Sequence, residues 1–163
     1  MKQMQLVRCT INGKEVANYV DMRASLTDML RNEYRLTSVK KGCEVGECGA
    51  CNVIVDGECF NSCIYLAVWA EGKSIRTLES LLGPNGELAD IQQAFIEEGA
   101  VQCGFCTPGF IMTAVELLES GHEYTREELR KLLAGHLCRC TGYENILNAV
   151  EKTMKQRLAA AKA

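Results

Sequence analysis

Cysteine content is the feature that most constrains what this chain can fold into. Ten of the 163 residues are cysteine, and eight of them fall into two groups of four. The first group has the spacing C-x4-C-x2-C-x11-C and consists of Cys43, Cys48, Cys51 and Cys63. The second has the spacing C-x2-C-x31-C-x1-C and consists of Cys103, Cys106, Cys138 and Cys140. A metal or cluster bound by these two quartets would therefore affect the folding of the chain as well as its function.

Composition favours metal or redox chemistry over disulfide bonds. The first residues, MKQMQLVRC, lack the apolar core of a signal peptide, and no apolar run approaches the roughly 20 residues that span a bilayer. We therefore expect a cytoplasmic protein with no membrane span, where dense cysteines seldom form disulfides. The net charge of -3 gives no electrostatic reason to expect binding to nucleic acid.

The first quartet predicts a 2Fe-2S cluster. Its first three cysteines match the plant-type 2Fe-2S spacing and share one loop with three glycines. We expect Gly42, Gly46 and Gly49 to supply the tight, partly left-handed turns that such a loop needs. Zinc is the alternative, but structural zinc sites usually take their ligands from two separate knuckles. One glycine-rich loop with three ligands therefore fits a cluster better.

The second quartet is weaker evidence by itself, and zinc remains open for it. Its first pair of cysteines stands just before a helix that Pro108 opens, and its second pair lies between two later helices. Two loops of a helical domain would then meet at one cluster and be cross-linked by it.

The remaining cysteines and the two histidines have simpler interpretations. Cys9 and Cys59 lie in predicted strands, where a free cysteine usually behaves as a small buried hydrophobe. Cys59 competes with Cys63 as fourth ligand of the first quartet. We prefer Cys63 because Cys59 should pair in the hairpin after Asp56-Gly57, although spacing alone does not settle the choice. His122 is expected in solvent, and His136 is expected to cap a helix or to lie near the second quartet. Aromatic residues Phe60 and Trp69 are expected in the core.

The pattern of the chain predicts an α+β fold with two domains, residues 1–81 and 87–163. Alternation around Asn12-Gly13 predicts a hairpin, and further strands are expected at 52–55, at the return that ends near residue 60, and at 75–77. A helix is predicted over 25–34. Beyond the turn-rich linker 82–86, four helices are predicted at 90–98, 108–120, 125–135 and 143–158.

Three segments together resemble one known family: GCEVGECGACNVIVDG, VQCGFCTPGFIM and GHLCRCTGYENI. They are similar to the iron-sulfur subunit or domain of the xanthine dehydrogenase and aldehyde oxidase family of molybdenum hydroxylases. The resemblance covers nearly the whole chain, and YLAVWAEGKSIRTLE is most similar to bacterial xanthine dehydrogenase small subunits. It implies an N-terminal ferredoxin-like β-grasp domain followed by a C-terminal four-helix bundle.

The resemblance also implies a role for each quartet. The first would hold the 2Fe-2S cluster nearer a flavin, and the second would hold the cluster nearer the molybdenum. By similarity Gln102 would contact the pterin of the molybdenum cofactor, and Cys140 would lie close to it. The chain would carry electrons from a molybdenum-pterin cofactor on a large subunit to FAD on a medium subunit, without performing the hydroxylation.

Two other functions are considered beside this one. A free-standing two-cluster ferredoxin would need no pterin contact, so Gln102 argues against it. A zinc-binding interaction module would be colourless, whereas 2Fe-2S proteins are reddish brown. The substrate pocket would belong to another chain, so a purine such as xanthine or hypoxanthine is only the first expectation. Nicotinate, aromatic acyl-CoA thioesters, carbon monoxide and aldehydes stay open.

Overall fold

The computed structural model describes residues 3–162, which form a five-stranded sheet and a set of helices. The strands are β1 (Met4–Ile11), β2 (Lys14–Asp21), β3 (Asn52–Val55), β4 (Glu58–Asn61) and β5 (Ser74–Arg76). Their order across the sheet is β2-β1-β5-β3-β4. Strands β1 and β5 are parallel, and the other neighbours are antiparallel. The predicted α+β class is confirmed.

Both hairpins use the two-residue turns that the sequence predicts. Asn12 and Gly13 have φ angles of 49° and 79°, and Asp56 and Gly57 have φ angles of 51° and 94°. Positive φ at both central residues matches the twist of the flanking strands. The first turn fixes the register of β1 against β2, and the second fixes β3 against β4.

The first helical segment lies where it was predicted but is irregular. It begins as α1 (Leu26–Asp28) and continues as a π-helical turn over Met29–Glu33. The Ser25 hydroxyl accepts the Asp28 N–H at 3.1 Å and so caps the start. Leu26 and Leu30 are fully buried against the sheet.

Four helices follow in the second half: α2 (Asp90–Glu97), α3 (Thr107–Glu119), α4 (Arg126–Leu132) and α5 (Glu144–Ala161). Thr125 and Glu128 form the predicted capping box of α4. The predicted end of that helix at Gly135 is wrong, because a tight turn from Leu133 to His136 takes the chain away after Leu132. No helix of residues 3–162 has the length and apolar character needed to cross a membrane.

Strand β3 joins the two halves of the protein because it is buried on both faces. Val53 and Val55 pack into the core beneath the sheet, while Ile54 packs into the core of the helices. Helix α3 lies on that second face, in contact with β3. The expectation that Phe60 and Trp69 are core residues is wrong, since they are 37% and 56% exposed. Both rings instead make edge contacts with Tyr65 on the surface.

Candidate metal centres

The first quartet is built from the loop between α1 and β3, together with the residue that follows β4 by two positions. The cysteine side chains interact two by two, Cys43 with Cys48 and Cys51 with Cys63. Cys48 and Cys51 are close enough to interact electrostatically, so the two pairs adjoin. The hairpin β3-β4 is what returns the chain to the loop and places Cys63 there.

Glycines shape this loop in two different ways. Gly46 and Gly49 have φ angles of 82° and 67°, as the left-handed turns predicted for them require. Gly42 is not left-handed, which corrects the prediction, and Glu44 takes that conformation at φ 58°. Gly42 is needed for space, because a Cβ there would lie 2.7 Å from the Cys48 Sγ.

The electrostatics of the first quartet differ between its two pairs. Backbone N–H groups of Val45 and Glu47 point at the Cys43 Sγ from 3.5 and 3.3 Å, and these donors lower the pKa of Cys43 to about 6. Burial raises the pKa of Cys51 to about 12. Donors aimed at one sulfur stabilise a thiolate, and a buried thiolate becomes favourable only when a cation compensates its charge.

The second quartet repeats the paired arrangement. The Sγ atoms of Cys103 and Cys140 are 3.6 Å apart, and the side chains of Cys106 and Cys138 interact with each other. Cys106 lies immediately before α3, and Cys138 lies in the loop between α4 and α5. Within residues 3–162, no three His, Cys, Asp or Glu side chains are grouped as ligands of a single metal ion. The sulfurs are grouped two by two instead.

The loops of the two quartets touch each other. The Leu137 N–H donates to the carbonyl of Cys48 at 3.1 Å, which links a residue next to the second quartet with a member of the first. Helix α3 also approaches closely, since a Cβ on Gly109 would collide with the carbonyl oxygen of Gly49. The two metal centres are therefore neighbours within one chain.

Comparison with known proteins identifies the family. Residues 9–76 match a 2Fe-2S iron-sulfur cluster binding domain, and residues 77–151 match a second 2Fe-2S binding domain. The xanthine dehydrogenase iron-sulfur-binding subunit of Escherichia coli O157:H7 is 53% identical over 152 residues, which cover 90% of this chain and 94% of that protein. The nicotine 6-hydroxylase small subunit of Paenarthrobacter nicotinovorans is 49% identical and covers 86% of this chain and 84% of its own length.

This chain belongs to the iron-sulfur subunits of the molybdenum hydroxylases. A crystal structure of quinoline 2-oxidoreductase from Pseudomonas putida 86 contains a chain with a TM-score of 0.92 and 41% identity, and each chain covers 99% of the other. The family carries two 2Fe-2S clusters. Each iron of such a cluster takes two thiolates, so the pairing of sulfurs in both quartets fits this cofactor.

The remaining two cysteines of the iron-sulfur subunit lie outside both quartets. Cys9 is buried in β1, and the Cys59 Sγ lies 3.4 Å from the Thr113 hydroxyl, facing α3. Burial raises the pKa of each thiol to about 11, so both stay protonated at neutral pH. Cys63, the rival of Cys59, has its sulfur next to Cys51.

His136 lies buried against helix α3 and the loop of the first quartet. Its ring stacks on Phe110 with centroids 4.4 Å apart, and its Nε2 is 2.8 Å from the Thr113 hydroxyl. Burial lowers the pKa of His136 to about 4, which keeps the imidazole neutral. A Cβ on Gly49 would collide with this ring, so the ring and the first loop are in direct contact. His122 is exposed, as expected, and packs against Tyr124.

Sequence reasoning missed the polar residues around Cys138. Thr141 places its hydroxyl 3.1 Å and its N–H 3.5 Å from the Cys138 Sγ, and the Tyr143 hydroxyl accepts the Cys138 N–H at 3.1 Å. Burial acts to raise the pKa of Cys138, but the bonds from Thr141, together with those from the Cys140 backbone and the Cys106 side chain, lower that pKa. The segment CRCTGY held the signal, since a hydroxyl residue close to a ligand cysteine is well placed to bond its sulfur.

Proposed function

We propose that this chain conducts electrons inside a molybdenum hydroxylase, from a molybdenum-pterin cofactor on a large subunit to FAD on a medium subunit. The observation that carries the proposal is the contact between the two cysteine loops through Leu137 and Cys48. Because electron tunnelling falls steeply with distance, two clusters in touching loops form an efficient relay. A relay is useful only when a donor and an acceptor dock at its two ends.

The proposed cluster ligands follow the two quartets. The first cluster, on the flavin side, would be held by Cys43, Cys48, Cys51 and Cys63. The second, on the molybdenum side, would be held by Cys103, Cys106, Cys138 and Cys140. The pairing of their sulfurs supports both sets.

The proposal also includes the domain organisation. It divides the chain into a β-grasp domain, residues 1–81, and a four-helix bundle, residues 87–163. The separate hydrophobic cores on either side of β3 support this division.

We also propose that Gln102 and Cys140 face the pterin on the large subunit. Both residues are exposed, and the Cys140 sulfur adjoins Cys103, the residue after Gln102. An amide offers a donor and an acceptor to the edge of a heterocycle. The bound cofactors supply the redox chemistry, and the residues of this chain position the clusters and contact the neighbouring cofactor.

A purine such as xanthine or hypoxanthine is the substrate that we propose for the complex. The 53% identity to the xanthine dehydrogenase subunit supports a purine. Because the chain is also similar to subunits of nicotine and quinoline enzymes, other heterocycles must be tested as substrates too. We place the complex in the cytoplasm, because cysteines that bind clusters must stay reduced and that compartment keeps thiols reduced.

Purification of the native complex tests the proposal. The chain is tagged in its host and isolated without oxygen, and the companion subunits, molybdenum and FAD are measured. Xanthine, hypoxanthine, nicotine, quinoline and an aldehyde are then added one at a time while the visible absorption of the clusters is followed. We expect bleaching with a purine. A chain that elutes alone with both clusters loaded would instead indicate a free electron carrier.

A further inference from the structure

Thr141 is a polar residue that has no role in the proposed electron relay as such. It is half-buried in the loop between α4 and α5, directly after Cys140. Its hydroxyl lies 3.1 Å from the Cys138 Sγ, and its backbone N–H lies 3.5 Å from the same sulfur. Two donor groups of one residue therefore converge on a single sulfur.

The direction of the hydroxyl bond follows from the protonation state of a ligand sulfur. The Tyr143 N–H donates to the Thr141 Oγ1 at 3.2 Å, so one lone pair of that oxygen is occupied. A cysteine sulfur that binds iron has no proton and acts only as an acceptor. The Thr141 hydroxyl must then donate its proton to Cys138, and the Tyr143 N–H holds the oxygen in position for it.

A second contact fixes the geometry from the other side. The Tyr143 hydroxyl accepts the N–H of Cys138 at 3.1 Å, and this hydrogen bond joins the two ends of the segment from Cys138 to Tyr143. Tyr143 has a φ of 71°, a left-handed conformation that only a well-supported tyrosine keeps. The donor therefore belongs to a pre-organised turn and not to a mobile surface residue.

We propose that Thr141 sets the reduction potential of the second cluster by donating its hydroxyl hydrogen bond to Cys138. The inference rests on the proposed function, in which Cys138 is a ligand of that cluster. One-electron reduction makes the cluster more negative, and donors to its sulfurs stabilise the more negative form. Loss of the hydroxyl should thus lower the potential of the second cluster. The first quartet receives backbone N–H donors at Cys43, which no substitution at position 141 removes.

A redox titration of the full chain loaded with both clusters tests the proposal. Each cluster is followed by its own electron paramagnetic resonance signal while dithionite is added with mediators. The variants are Thr141→Val, which keeps the shape but loses the hydroxyl, Thr141→Ala, and Thr141→Ser, which keeps the hydroxyl. We expect Val and Ala to make reduction of one cluster about tenfold less favourable, a shift of about 59 mV for one electron. The Ser variant should titrate close to the original protein.

The outcomes separate the inference from the function on which it rests. Equal potentials in the Ala and Ser variants, or a shift of both clusters together, would overturn the role of the hydroxyl. If Thr141→Val fails to load the second cluster, the comparison of Ala with Ser still decides. An original chain without a second cluster would instead contradict the proposed ligand set.

Discussion

Among the single residues, the cysteines of the quartets differ from Cys9 and Cys59 in the atoms that surround their sulfurs. Sulfurs of the quartets lie beside other sulfurs, whereas Cys59 faces Thr113 and Cys9 is buried in the sheet. Spacing predicted the quartets because a cluster loop needs ligands a few residues apart. Spacing could not choose between Cys59 and Cys63, since that choice depends on how the hairpin β3-β4 returns to the loop.

The first prediction concerns substitution of Cys59 and Cys63, the two candidates for the fourth ligand of the first quartet. Cys63→Ser should cost the chain its first cluster, because a sulfur of the pair with Cys51 is lost. Cys59→Ala is the matched control and should keep both clusters, since its thiol only packs against α3. Iron content and the two electron paramagnetic resonance signals distinguish the variants. Loss of the first cluster from Cys59→Ala, with retention in Cys63→Ser, would reverse the assignment.

The second prediction concerns Gln102, whose simpler interpretation is a solvent-facing amide. Gln102→Leu touches no proposed ligand and should leave both clusters assembled. Polar atoms of the pterin would lose a partner, at a cost of about 1 to 3 kcal/mol. Molybdenum content or substrate-driven cluster reduction in the complex should therefore fall. The control is Gln156→Leu on the exposed side of α5. If both variants behave like the original protein, Gln102 has no such role.

At the scale of elements, most strands and helices follow local patterns, and the deviations have tertiary causes. Turn residues and the cap at Thr125 are local signals, and they are correct. The early end of α4 is not local, because the chain must turn after Leu132 to carry His136 and Leu137 toward the first loop. Burial of β3 on both faces likewise follows from helix α3, which lies more than 50 residues away along the chain.

The approach of α3 to the first loop gives the third prediction. Gly109→Ala should destabilise the chain by about 1 to 3 kcal/mol, because the added methyl group collides with the Gly49 carbonyl and pushes the helix off the loop. Gly135→Ala is the control, since it has open space and no left-handed φ, and its effect should stay within about 0.5 kcal/mol. Denaturant unfolding of both variants measures the difference. Equal free energies of unfolding for the two variants would show that α3 does not pack closely against Gly49 in solution.

In the molecule as a whole, the fold brings the loops of the two cysteine quartets into contact. The sequence predicts both metal centres, and the family resemblance supplies their order in the relay. Contact between the loops was not predictable from patterns, because Cys48 and Leu137 are far apart along the chain. The residues around Cys138 were missed for a related reason, since a sulfur's hydrogen bonds depend on loop geometry. The substrate is a property of the partner subunit, and only comparison with relatives bears on it.

Metal and sulfide analysis of the purified chain, made under anaerobic conditions, shows directly whether the two quartets hold 2Fe-2S clusters. Two complete quartets predict about four iron atoms and about four acid-labile sulfides per chain, with two distinct cluster signals on reduction. Zinc in place of iron would contradict the whole account, and about two iron atoms per chain would contradict the second centre.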